Sequence, residues 1–241
     1  MLYPLRVVVS VGFLLLMAVP LLILCLFRPF HKNAVYWVSR PFGWVAPLLG
    51  FKVQVNGREH INKLGPCVLI CNHQSTLDLV ICPAPFPQNA ATIGKKSLIW
   101  LPVFGLFFWL SGNILIDRRN SGKANDTLRQ AATEIDLKQR KVWMFPEGTR
   151  SYGRGLLPFK TGAFRLAKLA KVPLVPICVA DTSQLVDLKR FSNGVVPVRI
   201  LPPIQLNEAD DVRIVADELH QKMAATIAEL TEQALRQRAN S

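Results

Sequence analysis

Acidic residues are scarce in this chain: 16 Asp and Glu stand against 29 Lys and Arg, a formal net charge of +13. An imbalance of that size points to an anionic partner, whether nucleic acid, a phosphorylated substrate or an anionic membrane surface. Tyrosine is also rare, with 3 copies, and no run of Lys and Arg exceeds two residues, which takes support from the nucleic-acid reading. Cysteines number 5, an odd count, and Cys25 lies in a membrane-like segment, so a disulfide framework is excluded and a reducing, cytoplasmic setting is the simpler reading. There is no G-x-S-x-G elbow of a serine hydrolase and no dinucleotide fingerprint. Internal repeats and low-complexity tracts are missing as well. A zinc site is excluded on reach: Cys67 and Cys71 fall on one strand, about 13 Å apart in extended chain, too far for one tetrahedral ion to bridge.

What the chain has in abundance is apolar surface. Hydrophobic residues make up 50% of it. Residues 7–27 carry no charge and are flanked by Arg6 and Arg28. At about 1.5 Å per residue this run can span a bilayer core. Pro20 leaves a kinked, re-entrant hairpin as the alternative, and no small-residue cleavage site marks a signal peptide. Residues 34–51 form a second apolar stretch with Trp37 and Trp44 suited to headgroup level; Pro41 and Pro47 favour an interfacial lie over a span. Residues 1–51 therefore read as a membrane anchor of two apolar helices, and residues 52–241 as a catalytic domain.

From residue 52 the pattern changes. FKVQV alternates as an edge strand does, and CVLIC (67–71), ATIG, NILI (113–116), VWMF (142–145), LVPICV (174–179) and VPVRIL (196–201) read as short strands. Leu128, Ala131, Ala132 and Ile135 make one face of a helix after Ser121, and Val212, Val215, Leu219, Met223, Ile227 and Leu230 mark a C-terminal helix. Strands alternating with helices predict an α/β fold: a mixed, largely parallel sheet flanked by helices, with an N-terminal membrane helix pair. Residues 97–116 hold no charge, but Pro102, Gly105 and Gly112 interrupt them. They read as a buried wall for an apolar chain, with a transmembrane helix as the alternative.

Four groups of residues could carry chemistry. Asn72-His73-Gln74-Ser75-Thr76-Leu77-Asp78 follows the strand CVLIC. Imidazole ordinarily titrates near neutrality and suits a general base. Five residues turn about 140° in a continuous helix, so His73 and Asp78 meet only if the His lies in the turn and the Asp in the first helical turn. Alone, a His at a strand end is as readily structural. Phe145-Pro146-Glu147-Gly148-Thr149-Arg150-Ser151 also follows a strand; Gly148 permits a tight turn and Arg150 suits phosphate, although a solvated Glu–Arg turn fits these residues too. Lys95-Lys96 and Asp117-Arg118-Arg119 bracket the apolar wall, as an amphiphile with an anionic head requires, or as ordinary flanking charges. Gly153-Arg154-Gly155 through Lys160-Thr161-Gly162 is a glycine-rich basic loop without P-loop spacing.

Together these motifs resemble the glycerolipid acyltransferase family, within it the bacterial 1-acyl-sn-glycerol-3-phosphate acyltransferases of PlsC type. The family's N-H-x4-D block matches Asn72, His73 and Asp78, and its K-x2-L-x6-G-x12-R block matches Lys95, Leu98, Gly105 and Arg118. F-P-E-G-T-R-S matches residues 145–151, and V-P-x-x-P matches Val172, Pro173 and Pro176. The resemblance implies acyl transfer to the sn-2 hydroxyl of lysophosphatidate, giving phosphatidate for phospholipid biosynthesis. It implies His73 as base and Asp78 as its orienting partner. Glu147, Gly148, Thr149 and Arg150 then belong to the acceptor site, with Arg118 and Lys95 at the phosphate. The donor is acyl-carrier protein or coenzyme A, no metal or further cofactor is needed, and the domain lies on the cytoplasmic side of the inner membrane, without nucleic acid. Glycerol 3-phosphate or another lysolipid as acceptor, and a non-catalytic lipid-binding scaffold, are the competing readings. A scaffold needs neither His73 nor Asp78.

Overall fold

Each strand read from the sequence is present in the computed structural model, which describes residues 2–102, 104–116 and 121–240. The first half runs α1 (Leu2–Phe27), α2 (Ala34–Trp44), β1 (Phe51–Asn56), α3 (Glu59–Asn62), β2 (Val68–Cys71), α4 (Asp78–Ile81), β3 (Ala90–Lys95), a 3-10 turn (Lys96–Trp100), α5 (Phe104–Leu110) and β4 (Ile114–Ile116). It continues through α6 (Ser121–Lys138), β5 (Lys141–Met144), α7 (Gly162–Ala170), β6 (Leu174–Val179), α8 (Thr182–Leu185), β7 (Gly194–Ile200) and α9 (Val212–Ala239). The strands form one sheet in the order β1-β7-β6-β2-β5-β3-β4. Neighbours are parallel except β6 and β7. The alternating FKVQV segment is indeed an edge.

The central strands are apolar without interruption because helices cover both faces. Val68 and Ile70 of β2 pack with Ala131 and Ile135 of α6, Phe164 of α7 and Met223 of α9. Leu69 and Cys71 pack on the other face with Val35 of α2, Ile81 of α4 and Trp143 of β5. Pro176 sits inside β6, where a missing N–H is costly. Its carbonyl accepts from Leu201 N at 2.9 Å, just past the end of β7, so the absent donor falls outside the regular β6–β7 ladder.

Residues 97–116 resolve as a 3-10 turn, a short helix and a strand, which excludes a transmembrane helix there. Gly105 is needed for this packing: a Cβ would lie 2.1 Å from Ile99 O. Of the expected helix pair, one member, Tyr3–Phe27, is long and apolar enough to cross a membrane. α2 has 11 residues, about 17 Å at helical rise, against a hydrocarbon core of about 30 Å. Val35 of α2 and the following Val45, Ala46 and Leu49 are buried in the core beside the sheet.

α1 keeps one stripe toward the domain. Arg6, Ser10 and Cys25 are buried and Phe13, Leu14, Met17 and Leu21 are half-buried, at helical spacing. The outer face, with Val8, Leu16, Val19 and Ile23, is apolar and exposed. Both ends are fastened. The Arg6 guanidinium donates to the carbonyls of Leu188, Arg190 and Phe191, and just beyond the helix Phe30 N donates to Leu110 O at 2.8 Å.

Candidate active site

β6, β2 and β5 are neighbours at the centre of the sheet, and the segments leaving their C-terminal ends converge. That is where open α/β sheets place ligands. The alternation along β2 decides which side chain faces the site. Leu69 and Cys71 face α2, so His73 continues on that side while Asn72 and Gln74 turn away. Both are then used as clamps. Asn72 Nδ2 donates to Val179 O at 2.9 Å and its Oδ1 accepts from Val179 N at 2.8 Å. Gln74 Nε2 donates to Ala180 O at 2.9 Å, and its Oε1 accepts from Thr182 N at 2.8 Å and Thr182 Oγ at 3.1 Å. The turn bearing His73 is thereby sewn to the end of β6.

His73 Nδ1 lies 2.7 Å from Asp78 Oδ2. The His is in the turn and Asp78 opens α4, the arrangement the five-residue spacing requires. Asp78 Oδ2 also accepts from Gln74 N at 2.7 Å and Ser75 N at 3.1 Å. An oxygen that already accepts two N–H groups is an acceptor toward the ring as well. Nδ1 therefore carries the proton, and the Nε2 lone pair is free to act as base. The imidazole stacks on Phe145, with ring centroids 4.0 Å apart and planes 17° apart. Asp78→Asn keeps a side chain of the same shape but loses the charge that stabilises imidazolium. It is expected to lower kcat by roughly 10²-fold with little change in KM; steady-state thiol release measures this, and an unchanged kcat would remove Asp78 from the mechanism.

The turn after β5 is laced onto the His73 turn. Ser151 N donates to His73 O at 2.9 Å and Tyr152 N to Gln74 O at 2.8 Å. Glu147 is buried, with only 3% of its surface exposed, and reaches both segments. Its Oε1 accepts from His73 N at 2.6 Å and its Oε2 from Leu157 N at 2.9 Å. Burial pushes its carboxyl above the ordinary glutamate value, against the two backbone N–H groups and the nearby His73 that pull it down. Gly148 has φ +70°, and a Cβ there would lie 2.9 Å from Lys160 Nζ, so the turn admits glycine. Arg154 braces the same turn through Ser151 O at 2.8 Å and Arg150 O at 3.1 Å.

The dyad opens on a cavity of about 810 Å³. Its lining includes His73, Asp78, Gly148, Thr149, Arg150 and Tyr152. The rest is largely apolar, with Leu14 and Ala18 of α1, Phe42 of α2, and Leu98, Phe104 and Phe108 of the 97–116 wall. Most of the residues singled out in the sequence thus meet. His73, Asp78, Gly148, Thr149 and Arg150 line one cavity, whereas Glu147 stands behind it as a strut. Lys95 ends β3 and its side chain lies outside what the structure describes; Arg118 lies outside the described residues. α1 as a wall of the cavity was not read from the sequence, nor were the Asn72 and Gln74 clamps. Burial pushes the Cys71 thiol, directly behind the turn, well above its ordinary value, so it is a protonated bystander and no nucleophile.

A histidine hydrogen-bonded to a buried aspartate on the lining of a largely apolar cavity is an arrangement suited to acyl transfer on an α/β scaffold. The chain belongs to the acyltransferase family, whose model matches residues 52–180. It is 44% identical over 95% of both chains to a 1-acyl-sn-glycerol-3-phosphate acyltransferase of Salmonella typhimurium. It is 43% identical, again over 95% of both, to the Escherichia coli protein of that name. A Saccharomyces cerevisiae protein of the same name is 40% identical over 83% of this chain and 68% of its own. The crystal structure of the 1-acyl-sn-glycerophosphate (LPA) acyltransferase PlsC from Thermotoga maritima matches with a TM-score of 0.70, covering 95% of this chain and 97% of that one at 23% identity, a likeness of fold.

Proposed function

We propose that this protein transfers a fatty acyl group from a thioester to the sn-2 hydroxyl of 1-acyl-sn-glycerol 3-phosphate, giving phosphatidate. The observation that carries this is the His73–Asp78 dyad on the lining of a lipid-sized, largely apolar cavity that Arg150 also lines. His73 Nε2 takes the proton from the hydroxyl, and the oxygen attacks the thioester carbonyl carbon. The tetrahedral intermediate collapses, the C–S bond breaks, and the imidazolium returns its proton to the departing sulfur. Asp78 holds the Nδ1–H throughout. The step as written requires no cofactor beyond the acyl thioester. Arg150, Arg118 and Lys95 neutralise the acceptor's phosphate. What supports grouping the last two is register: Lys95 is the Cα partner of Ile116, and Arg118 follows Ile116 by two residues in sequence.

The donor is acyl-carrier protein or coenzyme A. Both are cytosolic thioesters, which sets the domain on the cytoplasmic face of the inner membrane. α1 lies in one leaflet along the membrane plane, because a helix fastened to its own domain at both ends cannot place one end across the bilayer. Its exposed apolar face supplies the contact with lipid.

Detergent-purified protein supplied with acyl thioester is expected to release thiol with lysophosphatidate and not with glycerol 3-phosphate. Release with glycerol 3-phosphate alone would keep the chemistry and change the substrate. No release with any acceptor or donor would sink the enzymatic reading.

A further inference from the structure

We propose that the loop at residues 187–193 is a second membrane contact, in which Phe191 enters the bilayer interface while Lys189 and Arg190 meet anionic headgroups, so that α1 and this loop together fix the tilt of the catalytic domain on the membrane. The inference rests on the in-plane lie of α1 proposed above and goes beyond it.

The loop is held firmly. Asp187 N donates to Asn193 Oδ1 at 2.9 Å, and Asn193 N donates to Gly50 O at 2.7 Å. Asn193 is buried to 1%. The loop is anchored this tightly, yet Phe191 is 83% exposed. Its neighbours Lys189 and Arg190 are exposed too. A single exposed apolar residue is ordinary, but this one is joined to the anchor. The Arg6 guanidinium of α1 donates to the Leu188, Arg190 and Phe191 carbonyls and lies 6.0 Å from the Phe191 ring centroid. Gly50 makes room for it: a Cβ there would lie 2.7 Å from Arg6 Nη2 and 2.7 Å from Phe191 O.

The consequence is geometric. Arg6 is the charge that precedes the uncharged run of α1, and its head is satisfied by loop carbonyls. Wherever the first turns of α1 lie in the membrane, residues 188–191 lie at the same level. An exposed aromatic ring flanked by two cations at that level fits an interface of acyl chains and anionic phosphates. Exposed Trp44 and Leu48, just before the Gly50 contact, extend the apolar edge between α1 and the loop.

The test places single thiol-directed spin labels on the full chain in vesicles of phosphatidylethanolamine and phosphatidylglycerol. The five native cysteines are buried, so introduced ones are labelled selectively. Labels replace Phe191→Cys, Leu16→Cys on the outer face of α1, and Glu208→Cys as an aqueous reference. Accessibility to oxygen against a water-soluble nickel complex reports depth. The expected result is oxygen-dominated relaxation at 191 and 16 and nickel-dominated relaxation at 208. Each cation near an anionic surface is worth about fivefold in partitioning, so adding Lys189→Glu and Arg190→Glu is expected to lower the lipid-exposed fraction at 191 by more than about fivefold, with 16 unchanged. A label at 191 in water while 16 is in lipid would overturn the loop contact and leave the anchor standing. Both in water would overturn the anchor itself, and the loop contact with it.

Discussion

His73→Ala is expected to lower kcat with lysophosphatidate by roughly 10³–10⁴-fold, the upper part of the range for loss of a positioned general base. The hydroxyl of a glycerolipid is a poor nucleophile until its proton is removed, and among the described residues the imidazole of His73, which lines the cavity, is the group placed to take it. Binding should survive. The apolar lining of the cavity and Arg150 do not depend on the ring, so KM is expected to change by less than about threefold. Stability is expected to fall without loss of the fold, because the variant gives up the stack on Phe145, of order 1 kcal/mol, and the hydrogen bond to buried Asp78, about 1.5–3 kcal/mol. Steady-state thiol release and a thermal melt of the same preparation measure both. A variant that keeps more than a tenth of the activity while folding normally would assign the base elsewhere.

That His73 and Phe145 stand at the ends of apolar strands was legible in the sequence; which face they take was not, and the structure places both on the cavity lining. The spacing of His73 and Asp78 likewise stated the condition for their contact, and the structure meets it. Edge and central strands separated by pattern, FKVQV alternating against the continuous LVPICV. What stayed hidden depends on proximity between distant segments. Glu147 read either as half of a solvated Glu–Arg turn or, by resemblance, as part of the acceptor site, and neither reading made it a buried strut. It is buried because His73 N, 74 residues earlier, and Leu157 N need acceptors there. α1 looked like an anchor alone, since an all-apolar helix has no pattern to distinguish a cavity-facing side from a lipid-facing one. Arg6 and Ser10 mark the domain-facing stripe only at its start; the cavity-lining Val11, Leu14, Met17 and Ala18 are all apolar and carry no such mark.

Glu147→Leu should be nearly as damaging as loss of the base, by a different route. The side chain touches no part of the cavity; it fixes where His73 is. With both carboxylate oxygens gone, the N–H groups of His73 and Leu157 are left without their acceptors, at about 1–3 kcal/mol each. A displacement of the base by about 1 Å costs roughly 10²-fold in rate. The expected signature is a lowered melting temperature together with a kcat loss of about 10²-fold or more. Glu147→Gln separates the two parts. An amide keeps one acceptor oxygen and turns an NH2 toward the other N–H, so a smaller loss of the same kind is expected. The amide also cannot ionise. Burial raises the Glu147 carboxyl above its ordinary value, so the folded protein holds a proton there that the unfolded chain has released. Stability from this group is full below the ordinary glutamate value and is lost as pH rises through the raised one. Across that window the wild type should lose stability relative to Glu147→Gln, and the gap between their melting temperatures should narrow. Melts in detergent from acid to neutral pH measure this. A gap that widens with pH would mean the carboxylate is held below its ordinary value, with the two backbone N–H groups outweighing burial. Wild-type kcat in Glu147→Leu would remove the strut from catalysis altogether.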